Sequence, residues 1–433
     1  MRRLRRIIPT GHPNWLTRAR RVDYRLAPRV PDHPHNPAIH LLDGRFYADD
    51  PQPHFQWMRE HAPVYWDETG GVWGVTRYED VMALSRDPPT FCSRHSSRPD
   101  SPAIPSMINL DDPLHKQRRN LVNRGFTPRR VADHEPRIRQ VCRELIARVA
   151  ERGACDFVHD LAAPLPMIVI GDLLGVEPED HDLLLRWSDD MICGLSASAA
   201  PELLQRASDS FFEYADYHRR VVADRRLRPR DDLVSVVVHA EIDGQRLSDE
   251  DILQESLLIL VGGDETTRHV LSGGMEQLIR HPDVREALAR DPARIPLAVE
   301  EMLRWVTPIQ NMNRTATRDV TLRGERVREG DKMLLLYASA NRDPRQFRDP
   351  DEFDASRTPN EHVAFGFGAH YCLGASLARL ELRVFFEEVL RSLPDLELAT
   401  DDPLPRRPSN FIVGIETMPV VWQPPMARRG AGA

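Results

Sequence analysis

The chain has 433 residues, 41% of them hydrophobic and 29% charged, and a net charge of −8. This balance is that of a folded globular protein and excludes nucleic acid as the main partner, which would need a basic face. The five cysteines (Cys92, Cys142, Cys155, Cys193 and Cys372) form no C-x-x-C pair, which excludes a disulfide scaffold or a zinc module and predicts a reduced, cytoplasmic setting.

Nine arginines fall in the first thirty residues, without the apolar core of a signal peptide. Residues 1–38 are therefore expected to form a basic extension, 39–425 a single domain and 426–433 a tail. No apolar run approaches the roughly 18 residues of a membrane span. Length alone suggests about three domains, but no linker, repeat or compositional step divides the chain. The stretch Pro63 to Thr76 reads as a hairpin, with two β-rich runs around Asp-Glu-Thr-Gly-Gly. Val320 to Tyr337 and Asn410 to Trp422 read as two further strand regions. The segments between the first two carry helical periodicity, so a mainly α domain with small β-sheets is expected.

In chain order, Pro113 opens a helix that places His115 and Arg119 on one face. A helix of roughly 32 residues is predicted from Ser248 to Pro282, with Ser248 and Asp251 as a capping box. Its middle, "LLILVGGDETTRHVL", interrupts an apolar face with Gly262, Gly263, Asp264, Glu265 and Thr266. Internal glycines cost about 1 kcal/mol each, so this notch reads as either a tight helix crossing with its acids in solvent or a groove for a ligand. Further on, "EEMLR" sets Glu301 three residues before Arg304 in an apolar context, which predicts a buried ion pair. The same spacing at Glu265–Arg268, Glu325–Arg328 and Glu388–Arg391 predicts only surface pairs. Arg314 stands just ahead of a predicted strand.

The stretch "AFGFGAHYCLG", Ala364 to Gly374, places Cys372 at the start of a helix with an apolar stripe at Leu373, Leu377, Leu380 and Val384. Backbone amides and the helix dipole there favour thiolate, and Phe365 and Phe367 would keep it dry. Zinc would need three more protein ligands, with only His370 at hand, and His370 is poorly placed as the base of a cysteine nucleophile. A single thiolate suits haem iron, whose other in-plane ligands come from the porphyrin. His115, Arg119, Arg314 and His370 are candidate cations for the haem propionates.

Taken together these residues resemble the cytochrome P-450 family of haem-thiolate monooxygenases. The pattern F-x-x-G-x-H-x-C-x-G is matched by Phe365, Gly368, His370, Cys372 and Gly374. The pattern small–Gly–x–acid–Thr is matched by Gly262, Gly263, Glu265 and Thr266, and E-x-x-R by Glu301 and Arg304. The resemblance implies the cytochrome P-450 fold, with haem b (iron protoporphyrin IX) between the long helix and the Cys372 helix. Cys372 would be the axial iron ligand, with Gly262 and Phe365 also in the haem site. His115, Arg119, Arg314 and His370 would hold the propionates, and Glu265 and Thr266 would relay protons during O2 activation. Electrons would come from NAD(P)H through a ferredoxin reductase and a ferredoxin, received on a basic face including Arg118, Arg124, Arg379 and Arg383.

Within the family the chain is similar to actinobacterial steroid C26-monooxygenases, on runs such as "DFVHDLAAPLPMIVIGDLLGV" and "RPSNFIVGIETMPVV". That implies hydroxylation of a terminal methyl (C26 or C27) of cholesterol or cholest-4-en-3-one. Terminal attack needs a narrow apolar funnel, for which Ile104, Met107, Ile108, Leu257, Val261, Phe411 and Ile412 are the candidates. Branched-lipid, fatty-acid or natural-product hydroxylation on the same fold is the alternative, and a non-catalytic haem-thiolate sensor a remoter one.

Overall fold

The computed structural model describes residues 33–193, 200–242 and 244–424. The basic stretch before residue 33 and the tail 426–433 lie outside the described residues. The fold is engaged from the first described residue: His33 pairs with Glu325 at 3.0 Å and accepts the Trp66 amide at 3.0 Å.

Eight helices build the larger part: α1 (Leu114–Val122), α2 (Glu135–Val149), α3 (Pro164–Leu173), α4 (His181–Cys193), α5 (Pro201–Leu227), α6 (Asp249–Arg280), α7 (Ile295–Val306) and α8 (Ala375–Ser392). Their apolar faces merge into one core, in which Leu271, Met275, Met302, Phe385 and Phe386 are fully enclosed. The long helix is α6, whose 32 residues extend about 48 Å at 1.5 Å per residue. Its start is fixed by the expected capping box, with the Asp251 amide donating to Ser248 Oγ at 3.1 Å and the Ser248 amide to Asp251 Oδ2 at 3.3 Å. It packs against α3, α7 and α8, so its middle lies deep inside the molecule.

Five strands form the main sheet: β1 (Val64–Asp67), β2 (Val72–Val75), β3 (Phe91–Cys92), β4 (Asn311–Ala316) and β5 (Lys332–Leu336), in the order β1–β2–β5–β4–β3. Both faces are buried. Met333 and Leu335 join Trp66 and Trp73 on one side, while Leu334 and Leu336 join Tyr65 and Val72 on the other, as the two-residue period of a strand requires.

Three sequence expectations change. The region from Val320 to Tyr337 divides, because Val320–Leu322 and Glu325–Val327 form a separate hairpin and only β5 enters the main sheet. In the third strand region, only Pro419–Val421 is a strand, pairing with Glu397–Leu398 and Ala154–Asp156. Arg314 lies inside β4 instead of ahead of it, opposite Met333.

Candidate active site

The middle of α6, the loop before α8, the helix α1 and the strand β4 border one cavity. Gly262, Gly263 and Thr266 line it from α6, and Phe365 and Cys372 line it from the loop. His115, Arg119, Arg314 and His370 also border it, as do Met107 and Ile108.

The α6 notch has a steric reason. A Cβ on Gly263 would lie 2.5 Å from Ile170 Cδ1, whereas one on Gly262 would meet nothing within 4 Å and would project into empty space. One glycine therefore allows α3 to approach, and the other leaves the cavity open over α6. Thr266 Oγ1 donates back to the Gly262 carbonyl at 2.9 Å, a local bond that serine and threonine make inside helices.

The notch acids do not face solvent. Asp264 is buried, accepts from Ser188 Oγ at 3.1 Å, and is pushed up to about 6 by burial. Glu265 is fully enclosed and is absent from the cavity wall. Its Oε2 accepts from Arg407 Nη1 at 2.8 Å and lies 3.2 Å from His269 Nε2, and Arg268 pairs with its other oxygen. Arg407 continues to Glu416 at 2.7 Å. Asp189, Asp264 and Glu265 bring oxygens within 4.8 Å of one another, but Arg268 and Arg407 already neutralise them, which makes an ion-pair network. The Glu265–Arg268 pair is thus buried, contrary to the surface pair expected from its spacing, because α6 is covered on that side too. Glu388 is likewise buried, bridged by Arg139 and Arg143 as well as Arg391.

The loop before α8 turns on Gly366 (φ +66°) and Gly368 (φ +78°), where a side chain would be strained. At Gly368 a Cβ would also lie 2.4 Å from the Ser85 carbonyl oxygen. The Cys372 amide donates to the Phe365 carbonyl at 2.9 Å, closing the loop. Burial pushes the Cys372 thiol up, and the Gly374 and Ala375 amides with Arg119 and Arg379 offset this only in part. The helix start alone therefore does not make a thiolate; a bound metal ion would, since a coordinating thiol loses its proton.

Of the basic groups at the cavity, only His115 has a carboxylate beside it among the described residues. His115 is 3% exposed, its Nδ1 lies 3.3 Å from Asp112, and its Nε2 has no partner among the described residues. Arg119 donates to the Tyr371 carbonyl, and Arg314 to the Asn313 carbonyl at 2.8 Å. Neither has an ion-pair partner among the described residues. Burial, then Arg314, His115 and Arg119, push His370 down to about 2. An enclosed cationic edge of this kind lacks an anion.

Five of the residues expected in the funnel lie elsewhere. Leu257 packs against the helical core, and Val261 is half-buried off the cavity wall. Ile104 is half-buried in its loop, where its carbonyl accepts from the Ser106 amide and Asn109 Nδ2. Phe411 lies under the Arg98 guanidinium at 4.8 Å, and Ile412 is buried beside Ile309. The wall is made instead by Leu258, Ile259, Ile170, Ile309 and Met312, together with Met107 and Ile108. Adjacent apolar residues on a helix that is buried all round do not reveal which of them faces the hole.

Behind the loop, Glu301 and Arg304 are both fully buried and joined by two bonds of 2.7 and 2.8 Å. Arg357 Nε and Asn360 Nδ2 also reach Glu301, each at 3.1 Å, and Arg304 ties the Asn341 and Pro350 carbonyls. Sequence reasoning missed Arg357. It also missed Glu300, which takes two bonds from Arg379 (2.7 and 2.8 Å) and one from His362 (3.2 Å). Of the four arginines expected on a basic face, Arg118 is held by Asp251 and Glu255, Arg379 by Glu300, and Arg383 by Glu135 and Glu387. Only Arg124 is exposed without a carboxylate among the described residues.

A half-buried cysteine loop faces a notched helix across an apolar cavity with basic groups at its edge, an arrangement that suits a haem-thiolate site. The cytochrome P-450 family model matches residues 181–420. The chain is 52% identical over 389 residues to a steroid C26-monooxygenase of Mycolicibacterium smegmatis, covering 90% of this chain and 97% of that one. It is 40% identical to a methyl-branched lipid omega-hydroxylase of Mycobacterium bovis, covering 85% and 90%. Among solved structures, CYP109E1 from Bacillus megaterium in complex with testosterone superposes with a TM-score of 0.80 at 34% identity, over 86% of this chain and 99% of that one. The chain belongs to the cytochrome P-450 family. It is a monooxygenase that depends on haem and O2.

The residues present fit haem. The unpartnered His115 Nε2 and the uncompensated Arg119 and Arg314 suit two carboxylates, the space over Gly262 suits a flat ring, and the Cys372 thiol borders the same cavity. Among the described residues no helix is long and apolar enough to cross a membrane.

Proposed function

We propose that this monooxygenase hydroxylates the terminal methyl (C26 or C27) of a cholesterol or cholest-4-en-3-one side chain. The observation that carries this reading is 52% identity, over 90% of the chain, to a protein named a steroid C26-monooxygenase. The apolar wall of Met107, Ile108, Ile170, Leu258, Ile259 and Met312 supports it, since it offers a branched alkyl end no polar contact.

When bound, haem supplies O2 activation and insertion of one oxygen atom into a C–H bond. Cys372 would supply the sulfur that holds the iron, and Phe365 and Gly262 would line the space that the ring takes. Arg119 and Arg314 would neutralise the propionates, and His115 and His370 would donate hydrogen bonds to them. Thr266 Oγ1 holds a proton at the wall. Glu265, the next residue back on α6, pairs with Arg407 and through it with Glu416, whose side chain is 39% exposed and so reaches water. The apolar wall excludes water from the reacting end and orients it. Electrons arrive from NAD(P)H through a ferredoxin reductase and a ferredoxin, in the reduced cytoplasm that the unpaired cysteines suit.

A second reading, ω-hydroxylation of methyl-branched lipids, is favoured by the 40% identical relative. Optical titration of the haem protein separates the two. Cholest-4-en-3-one is expected to drive a low- to high-spin shift at micromolar concentration and a methyl-branched fatty acid to do so more weakly. The reverse order would replace the first reading by the second.

A further inference from the structure

Glu255 occupies a core position at considerable cost. It is 1% exposed, burial pushes its carboxyl up to about 7, and its Oε2 has no partner among the described residues. Leucine there would avoid burying a carboxylate with an unmatched oxygen. Glu255 also belongs to the α6 stripe 255, 259, 262 and 266, spaced i, i+4, i+7 and i+11, whose last three members line the cavity.

Its bonds all serve one segment. Oε1 accepts from the Met107 amide at 2.9 Å and from Arg118 Nη1 at 3.3 Å. The same Arg118 donates to the Pro105 carbonyl at 3.5 Å and is held by Asp251 at 2.8 Å. The far side of the segment is tied separately, with Asn109 Oδ1 accepting from the Ser97 amide at 2.6 Å. Ahead of Met107, Pro102, Ala103 and Pro105 are exposed. Among the described residues, the Met107–Glu255 bond is the only hydrogen bond from residues 101–109 to α6, and Met107 and Ile108 are the part of the segment that lines the cavity.

We propose that Glu255, acting with Arg118, is a positioning residue that locks the Met107–Ile108 wall against α6 and so fixes which carbon of the substrate is presented for hydroxylation. The proposal rests on the terminal-hydroxylation reading above. A terminal methyl is chosen over weaker internal C–H bonds only if the wall holds its place, and a displacement of about 1 Å can cost about 100-fold in rate. The carboxylate trades core stability for register of the wall.

The test compares wild type with Glu255→Leu and Glu255→Gln as haem-loaded, full-length proteins. Amide hydrogen exchange over residues 101–110 is followed, together with the ratio of terminal to internal hydroxylation. The ratio is measured on whichever of cholest-4-en-3-one or 15-methylhexadecanoic acid gives a spin shift with wild type. In Glu255→Leu, exchange across the whole segment is expected to rise at least tenfold and the terminal fraction to fall severalfold, with haem content and the carbon monoxide spectrum unchanged. Glu255→Gln keeps the acceptor for Met107 and is expected to fall between the two. An unchanged product ratio in a folded Glu255→Leu protein, or faster exchange at Met107 alone, would overturn the proposal. If only the fatty acid shifts the wild-type spectrum, the sterol reading fails while the wall is still judged by the same ratio.

Discussion

The imidazoles of His115 and His370 meet with 4.1 Å between ring centroids and 35° between their planes. Two imidazoliums at that separation would repel strongly in a dry site, and burial lowers both groups, His370 far more. The pair is therefore neutral, and Arg119 and Arg314 beside it carry the positive charge that suits a carboxylate. Hydrogen bonds to charged groups are worth about 1.5–3 kcal/mol. Arg119→Ala and His115→Ala are therefore each expected to release haem to an acceptor globin at least about tenfold faster than wild type. Unchanged release would remove them from the propionate site.

Thr266 is the hydroxyl of α6 whose removal should separate binding from chemistry. Thr266→Ala loses only the bond to the Gly262 carbonyl, so the substrate-induced spin shift should persist. Electron flow should divert to hydrogen peroxide, with product formed per NAD(P)H falling about tenfold. Peroxide and product assays at matched turnover check this, and unchanged coupling would take Thr266 out of the proton relay.

Glu301 and Arg304 stand fully buried, and removing one partner of such a pair leaves a charge without compensation, at a cost of about 3–5 kcal/mol. Arg304→Leu also strands the Asn341, Pro350 and Glu352 carbonyls. It is expected to lower the denaturant midpoint sharply and to yield little haem-loaded protein. A near-wild-type midpoint would show the network to be dispensable.

Glu300 gives a pH signature. Burial raises its carboxyl, but the bonds from Arg379 and His362 prevail and bring it from an ordinary 4.5 to about 2. A carboxyl lowered on folding contributes stability above its unfolded value, and this is lost as pH falls from about 4.5 towards 2. Glu300→Gln should thus melt at lower temperature at pH 7, and its melting temperature should depend less on pH across that window. Parallel wild-type and mutant curves would contradict the assignment.

Much of this site is legible in the sequence because it is local. The turn glycines and Cys372 sit within eleven residues, and the α6 notch is a visible break in an apolar run. His115 and Arg119 share a helix face by spacing alone. What was not legible depends on partners far along the chain. Arg118 reads as a free surface cation until Asp251 and Glu255, 133 and 137 residues away, claim it. Glu265 and Thr266 are neighbours in sequence, yet one enters an ion-pair network and the other the cavity. Leu257 and Leu258 differ by one position, and only the second lines the wall, because α6 is covered nearly all round and its apolar pattern has no single inner face.

The most direct test of the account is the spectrum of the dithionite-reduced protein under carbon monoxide. Wild type is expected to be red and to show the far-shifted Soret band of thiolate-ligated haem, and Cys372→His to bind haem but lose that band. An unshifted band in wild type, or a shifted band that survives in Cys372→His, would contradict the assignment of Cys372 as the axial ligand.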